Sequence, residues 1–176
     1  MVLDVEKVRS AKLGDSQSFA DLYDQIATDL YKVALYTLGN PHDAEDVVSE
    51  TFIEAYKGIK NLRDEGSFRP WIMRILSIRC KRRIAQYIQD KPNIDLEDFV
   101  ETPSDVSPET ADCSERVTVV GALEKLAHDE RTIVILSVLQ GYTTKEISQI
   151  MDMPHGTVSS KLYRTLLKLR KTLEQE

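Results

Sequence analysis

Residues 143–173 have the types and spacing that suit contact with duplex DNA. Thr143 and Glu146 stand three apart, the spacing of a capping box, and Asp152 and Pro154 then predict a tight turn into a second helix. Apolar residues of that helix recur at steps of three and four, and polar residues recur on the opposite side. The apolar set, which is expected to point inward, is Val158, Leu162, Leu166, Leu169 and Leu173. The polar set is Thr157, Lys161, Arg164, Lys168 and Lys171, flanked by Ser160.

Two helices joined by such a turn predict a helix-turn-helix, whose second helix enters the major groove of DNA. Arg and Lys there can donate to guanine, Ser and Thr can donate or accept, and basic residues farther along meet phosphates. An ordinary helical hairpin with a solvated face gives a similar pattern. His155 has no partner at metal-ligand spacing and is expected to be structural or to face solvent.

A second segment, 61–83, combines aromatic residues with a basic run. Aromatic rings beside cations suit single-stranded nucleic acid, because bases stack on the rings and phosphates pair with the cations. Trp71 shares an apolar stripe with Ile75 and Ile78 and is expected in the core, whereas Phe68 is expected to be more open. The basic run lies within 69–83 and comprises Arg69, Arg74, Arg79, Lys81, Arg82 and Arg83.

The net charge of the chain does not show that its basic residues are concentrated in two segments. The 176 residues carry a net charge of −6, which by itself argues against a nucleic-acid partner. Residues 61–87 nevertheless hold seven basic and two acidic residues, and 154–173 hold five basic and no acidic ones. Residues 90–112, between them, hold one basic and eight acidic residues. Two basic segments on distinct motifs favour a polyanionic partner.

The composition argues against several other classes of protein. Hydrophobic and charged fractions of 41% and 30% are ordinary for a globular protein, and the apolar run 133–136 is far too short to span a membrane. The charged N-terminus does not fit a signal peptide. Cys80 and Cys113 indicate neither a disulfide framework nor a zinc site, and there is no glycine-rich phosphate loop. We expect a cytoplasmic protein without metal, cofactor or catalytic residues.

The elements that hold both segments are predicted to be helices. Apolar residues recur at helical spacing over 19–38, over 47–59 with Tyr56 in the apolar stripe, and over 71–88. Gly14-Asp15 and Gly39-Asn40-Pro41 are typical of points where one helix ends and the next begins.

The third long helix is expected to take its cap from Ser67, with Pro70 in its first turn. Helical pattern resumes near Val117 after an acidic, proline-containing stretch. We therefore predict an all-α fold without a sheet. It comprises two small domains, 1–89 and 115–176, joined by a flexible acidic linker over 90–114.

Taken in order, the motifs resemble those of the extracytoplasmic-function sigma factors of bacteria along nearly the whole chain. Four stretches carry the resemblance: 19–23 (FADLY), 39–52 (GNPHDAEDVVSETF), 68–75 (FRPWIMRI) and 142–164, which ends in PHGTVSSKLYR. The second and the fourth are the most specific, and the acidic segment lies between the third and the fourth.

The resemblance implies a transcription factor that binds core RNA polymerase and promoter DNA. The N-terminal domain (sigma region 2) would melt and read the −10 element, and the C-terminal domain (sigma region 4) would read the −35 element as duplex. The implied −10 contacts are Asn61, Ser67, Phe68, Arg74, Arg79, Lys81, Arg82 and Arg83. The implied −35 contacts are His155, Thr157, Ser160, Lys161, Tyr163, Arg164 and Lys168.

The resemblance also implies protein partners. The clamp helices of the largest polymerase subunit would bind Asp46, Val47, Ser49, Glu50 and Ile53, and the flap of the second subunit is a further expected contact. An anti-sigma factor, often membrane-anchored, would cover both DNA-binding domains and hold the protein at the inner face of the membrane. The free factor is expected to be monomeric and to bind DNA weakly.

Five positions depart from the residues that the family usually carries. Ser49, Ile78 and Arg82 stand where Gln, Asn and Asp are usual. Ser159 stands where a basic residue is frequent and Asp152 where Gly is frequent, so the promoter sequence does not follow from the resemblance. A dimeric helix-turn-helix regulator, with the N-terminal helices as a sensing or dimerising domain, is the alternative interpretation. A helical adaptor that binds only protein is a third, and it would leave both basic faces idle.

Overall fold

The computed structural model describes residues 4–90 and 113–174, and every regular element in these ranges is helical. The all-α prediction is therefore confirmed for the described residues. The predicted linker lies almost wholly outside them, since one helix runs to Asp90 and the next begins at Cys113. The helices are α1 (Val5–Lys12), α2 (Ser16–Leu38), α3 (Pro41–Gly58), α4 (Phe68–Asp90), α5 (Cys113–Glu124), α6 (His128–Val134), α7 (Thr144–Met151) and α8 (His155–Leu173).

Local capping signals decide where the first long helices begin and end. The Asp15 carboxylate accepts from the Gln17 amide and starts α2, after Gly14 has taken a φ of 101°. Gly39 ends α2 in the left-handed conformation, φ 72°, which glycine adopts at little cost. The Asn40 side chain then accepts from the Asp43 amide and starts α3. Both predicted helix boundaries are thus confirmed.

The start of α4 differs from the prediction. The Ser67 hydroxyl donates to the Asp64 carbonyl oxygen at 2.7 Å, and Ser67 ends a short 3₁₀ turn, Glu65–Ser67. Asp64 caps that turn by accepting from the Gly66 amide. The expectation that Ser67 caps α4 is therefore wrong, because the 3₁₀ turn leads directly into the helix. Pro70 does lie in the first turn of α4.

The N-terminal helices enclose a core of aliphatic and aromatic side chains. Leu22, Ile26 and Leu30 of α2 are almost fully buried, as the spacing of the sequence predicts. They belong to one apolar cluster with Ile72 and Leu76 of α4. This core holds α3 and α4 side by side, which sets the positions of their charged faces.

The C-terminal helices include the predicted helix-turn-helix. The Thr143 hydroxyl accepts from the Glu146 amide, and the Glu146 carboxylate accepts from the Thr143 amide at 2.8 Å, which completes the capping box. Asp152 ends α7 at φ 54°, a left-handed conformation that Asp tolerates better than most residues. Ahead of α7, α6 continues into a π-helical turn, Ile135–Leu139.

The two halves pack against each other chiefly through α4 and α7. Ile147 and Ile150 of α7 are buried in the same apolar cluster as the N-terminal core. Arg131 of α6 also donates to the Thr37 carbonyl oxygen of α2 at 3.2 Å. The two halves therefore share one large apolar cluster, and a second, smaller cluster of Leu123, Leu126 and Val134 lies in the C-terminal half. None of their helices has both the length and the apolarity needed to cross a membrane.

Candidate nucleic-acid interface

The outer face of α8 presents polar, aromatic and basic side chains to solvent. Ser160, Tyr163 and Arg164 are exposed, and Tyr163 keeps 67% of its surface. Among the residues that the structure describes, the Arg164 guanidinium donates only to the Ser160 carbonyl oxygen of its own helix, at 3.2 Å. A hydroxyl, a phenol and a guanidinium on one exposed helix face can donate to base edges and phosphates.

Two of the predicted −35 lysines are oriented differently. The Lys161 ammonium lies 3.5 Å from the Asp129 carboxylate, and that of Lys168 lies 3.1 Å from Glu130. Both acids stand on α6, so these lysines border the outer face of α8 instead of lying at its centre. Thr157 is also half-buried. The exposed face is rotated from the one that the sequence spacing predicts, and Leu167, 43% exposed, lies within it.

His155 begins α8 and connects the two helices of the motif. Its Nε2 lies 2.9 Å from the Thr144 hydroxyl, at the start of α7. This contact agrees with the expectation of a structural or solvent-facing histidine, since the residue is also exposed. It brings together the N-terminal ends of both helices at the surface that would meet DNA.

One side of α4 faces the C-terminal half. Arg74 donates to the Gln149 carbonyl oxygen at 2.9 Å and lies 3.4 Å from the Asp152 carboxylate. Arg69 pairs with Asp29 at 3.0 Å, donates to Gln140, and lies over the Tyr142 ring, 5.5 Å from its centroid. Burial raises the pKa of Tyr142 to about 12.

Another side of α4 faces α3. Arg79 lies 2.8 Å from a Glu50 carboxylate oxygen and 2.6 Å from one of Glu54. Arg83 lies 2.9 Å from Asp43 and 3.6 Å from Glu50. Hydrogen bonding to Glu54 is the largest of the effects that raise the pKa of Arg79. These two arginines are therefore occupied by carboxylates and do not form an open track.

The remaining −10 candidates are divided between the core and the solvent. Phe68 is fully buried and packs on the partly buried Trp71, with ring centroids 5.8 Å apart. The expectation of an open Phe68 is wrong, because its ring fills the core at the start of α4. Asn61, Lys81 and Arg82 are exposed. Within the described residues, no ion pair is formed by Lys81 or Arg82.

The exposed face of α3 combines acidic and apolar side chains. Asp46, Ser49 and Ile53 are exposed, and Glu50 is partly exposed. Val47, by contrast, is only 1% exposed and belongs to the core, so it cannot contact a partner through its side chain. Tyr56, which the sequence pattern assigns to the core, is 53% exposed beside Ile53. The only sign of this exposure in the sequence is that the apolar stripe of α3 is wider than the face that the core buries.

A groove with apolar walls lies between α5, the π-helical turn and α8. It has a volume of about 660 Å³, and Tyr36 of α2 also lines it. Val138, Leu139, Leu166 and Leu173 line it and are 41–62% exposed. The expectation that Leu166 and Leu173 point inward is wrong, since the groove leaves them open. Exposed apolar side chains on all three elements, such as Val119, Val138 and Leu166, make this surface suitable for an apolar helix.

Cys80 lies inside the N-terminal core, and burial raises the pKa of its thiol to about 12. The thiolate is the reactive form of cysteine, so Cys80 acts as a packing residue in this structure. The quiet, buried thiol expected from the sequence agrees with this position.

Comparison with known families identifies both halves. The family model "Sigma-70 region 2" matches residues 13–87, and "Sigma-70, region 4" matches residues 116–169. The chain is 31% identical over 178 residues to the ECF RNA polymerase sigma factor SigW of Bacillus subtilis (strain 168), covering 96% of this chain and 95% of that protein.

Two solved structures share the fold. CnrH in complex with the cytosolic domain of CnrY superposes with a TM-score of 0.74 at 20% identity, covering 99% of each chain. The sigma factor RpoE in complex with the anti-sigma factor NepR from Bartonella quintana gives a TM-score of 0.73 at 19% identity, covering 90% of this chain and 98% of that one. From the two matched regions, in this order, and the similarity to SigW over nearly its full length, we conclude that the chain belongs to the extracytoplasmic-function family of RNA polymerase sigma factors.

Proposed function

We propose that this chain binds core RNA polymerase and directs it to promoters with a −10 and a −35 element. The observation that carries the proposal is one chain that joins an open helix-turn-helix face to an acidic and apolar face on α3. The exposed residues Ser160, Tyr163 and Arg164 suit duplex DNA, and Asp46 with Ile53 suits a basic polymerase surface with apolar contacts.

The −10 element is proposed to be read as an unstacked strand. Holding flipped bases offsets the few kcal/mol that each flip costs, so the chemistry is recognition and not bond-making. Because Phe68 is buried, we propose that the loop around Asn61 holds the base instead, while Lys81 and Arg82 contact phosphates. The arginines held by carboxylates join them only when those contacts are released.

The test of this function is run-off transcription on fragmented bacterial genomic DNA. Core RNA polymerase is assayed with and without the protein, and discrete new start sites are expected only with it. Sequences upstream of those sites then give both promoter elements. The proposal would be contradicted if no transcripts form and the protein does not co-purify with core polymerase. A dimer in size-exclusion chromatography with light scattering would then favour the dimeric regulator.

We propose that the apolar groove of the C-terminal half binds the flap of the second polymerase subunit. Leu166→Glu places a charge among the groove side chains and is expected to weaken core binding at least tenfold, since burying an unpaired carboxylate costs several kcal/mol. Leu167→Glu is the matched control, because Leu167 is 43% exposed, Leu166 is 42% exposed, and only Leu166 lines the groove. Equal core affinities for the two variants would place the flap elsewhere.

Control by an anti-sigma factor is part of the proposal. The support is that the two solved structures compared above are complexes, one of them described as a sigma factor with an anti-sigma factor. Such a factor is proposed to cover both DNA-binding halves, and a membrane-anchored one would hold the chain at the membrane. The test is co-expression of candidate partners, with loss of run-off activity expected for the true one.

A further inference from the structure

Two helices of the N-terminal half share a ladder of opposite charges. The carboxylates of Asp43, Asp46, Glu50 and Glu54 stand along α3, and the guanidinium groups of Arg79 and Arg83 stand along α4. We call these six residues the charge ladder. Its contacts range from 2.6 Å, between Arg79 and Glu54, to 3.9 Å, between Arg83 and Asp46.

Glu50 has a special place in the charge ladder because it contacts both arginines. It lies 2.8 Å from Arg79 and 3.6 Å from Arg83, and its side chain is 44% exposed. Glu54, one turn farther along α3, contacts Arg79 alone. Glu50 therefore faces the arginines and the solvent at once, on the same surface as the exposed Asp46.

Phosphates and carboxylates compete for the same guanidinium groups. An arginine fork binds either anion through the same N–H donors, so a DNA strand must displace a carboxylate to bind Arg79 or Arg83. Displacement is costly while the acids stay in place, because a freed carboxylate next to the strand repels phosphate. A basic partner that binds Glu50 lowers the cost of displacing it from the arginines.

We propose that Glu50 and Glu54 are positioning residues that hold Arg79 away from the −10 strand in the free protein. Polymerase, by binding Glu50, removes one of the carboxylates that hold Arg79 and Arg83, so that phosphate displaces the remaining ones more readily. The inference rests on the proposed function, since it takes Asp46 and Glu50 as polymerase contacts. It goes beyond that function by making the two binding events depend on one another through a shared side chain. By linkage, DNA and polymerase then strengthen each other's binding.

The test measures the affinity of the full-length chain for a fluorescein-labelled −10 strand, alone and with saturating core polymerase. Glu50→Gln and Glu54→Gln each remove one carboxylate of the charge ladder. Glu45→Gln is the matched control, because Glu45 is exposed on the same helix, loses the same charge, and forms no ion pair within the part of the chain that the structure describes.

Each variant has its own expected pattern. Glu50→Gln is expected to raise the DNA affinity of the free chain about two- to fivefold, the range of an exposed ion pair, and to leave that of the holoenzyme unchanged. Glu54→Gln is expected to raise both affinities by the same factor, since polymerase does not take Glu54. Glu45→Gln is expected to change neither.

Two further readouts separate positioning from a structural effect. The dependence of DNA binding on salt is expected to steepen by about 0.7 in Glu54→Gln, as one more cation reaches the single strand. In an Arg79→Ala background, the effect of Glu54→Gln is expected to vanish. Both readouts distinguish a released arginine from a general change in charge or stability.

The proposal is overturned if Glu50→Gln and Glu54→Gln match Glu45→Gln, or if Glu50→Gln acts equally in the free chain and the holoenzyme. Failure of the proposed function is seen separately, in run-off transcription by the unaltered chain. If no promoter can be mapped, a labelled oligothymidine strand replaces the −10 strand in the assay of the free chain. A two- to fivefold gain in affinity for that strand in Glu50→Gln and Glu54→Gln then tests only whether the carboxylates hold Arg79.

Discussion

The two basic helices of the molecule differ in how their charges are held. On α4, Arg74, Arg79 and Arg83 are all bound within the chain, to backbone oxygens or carboxylates. On α8, Arg164 donates within the described part of the chain only to its own helix, and Tyr163 beside it is exposed. Both helices would attract a polyanion by composition alone. Only the structure separates an open surface from an occupied one.

The difference indicates that the two DNA elements are read under different conditions. The face of α8 needs no rearrangement to approach a duplex, whereas most arginines of α4 must first exchange partners. Net charge is a poor guide in such a case, because the acids that lower it lie next to the arginines they neutralise. We therefore expect the free protein to bind the −10 strand weakly, because the arginines of α4 are held by carboxylates.

The largest effect is expected where α7 packs on α4. Ile147→Ala removes a fully buried side chain from the shared core and is expected to lower the free energy of unfolding by about 2–5 kcal/mol. Urea unfolding is followed by circular dichroism and by the fluorescence of Trp71, the single tryptophan, which lies in the N-terminal half. If the urea midpoint shifts in circular dichroism but not in Trp71 fluorescence, the two halves unfold independently.

The next effect concerns the open face of α8. Arg164→Ala is expected to cost about 1–3 kcal/mol in holoenzyme binding to a −35 duplex and to relax specificity at one position. Lys168→Ala, which removes a lysine paired with Glu130, is expected to weaken binding less and about equally for all sequences. Fluorescence anisotropy on matched and scrambled duplexes measures both. Equal losses for the two variants would contradict the division of α8 into an open face and a paired border.

A smaller effect is expected from the capping box that begins α7. Thr143→Ala is expected to lower the free energy of unfolding by about 0.5–2 kcal/mol, because the Glu146 amide loses its acceptor. Thr172→Ala is the control, since that hydroxyl, near the end of α8, donates to a carbonyl of its own helix. Thermal unfolding measures both variants. If the cap does not stabilise the protein, the two variants will have the same stability.

The smallest effect is a dependence of stability on pH. Burial lowers the pKa of His128 below its ordinary value of 6.5, and the charges of Arg131 and Lys81 lower it further, while Asp129 opposes them. The unfolded chain therefore takes up the proton first, and stability falls as the pH drops below about 6.5. His128→Gln is expected to flatten this dependence between about pH 7.5 and about pH 5.5, measured by urea unfolding. An unchanged slope would assign the dependence to other groups.

Local signals in the sequence were sufficient for most of the fold. Asp15, Asn40 and the Thr143–Glu146 box act through hydrogen bonds to amides within three residues, so their effect is visible in the sequence. Ser67 was assigned the wrong role because a 3₁₀ turn and a helix start share the same local signals. The position of Asp152 in the turn was predicted from its residue type, and its left-handed φ confirms it.

The candidate site was harder to predict because exposure depends on what packs against each helix. Phe68 stands next to a polar loop in the sequence, yet its ring fills the core. Leu166 follows the apolar spacing of α8, yet it lines an open groove because the helices there do not close over it. Periodicity identifies which residues share a face but not whether another helix covers that face.

The helices, the helix-turn-helix and the family could be predicted from the sequence, because they depend on residue type and short-range spacing. Which basic residues are open became visible only in the folded chain. Arg79 meets Glu54 across 25 positions of sequence, and Arg74 meets the Gln149 carbonyl across 75. No local pattern encodes such pairs, because they form only when the core fixes the distance between helices. The charged residues could therefore be identified from the sequence, but the residues that they contact could not.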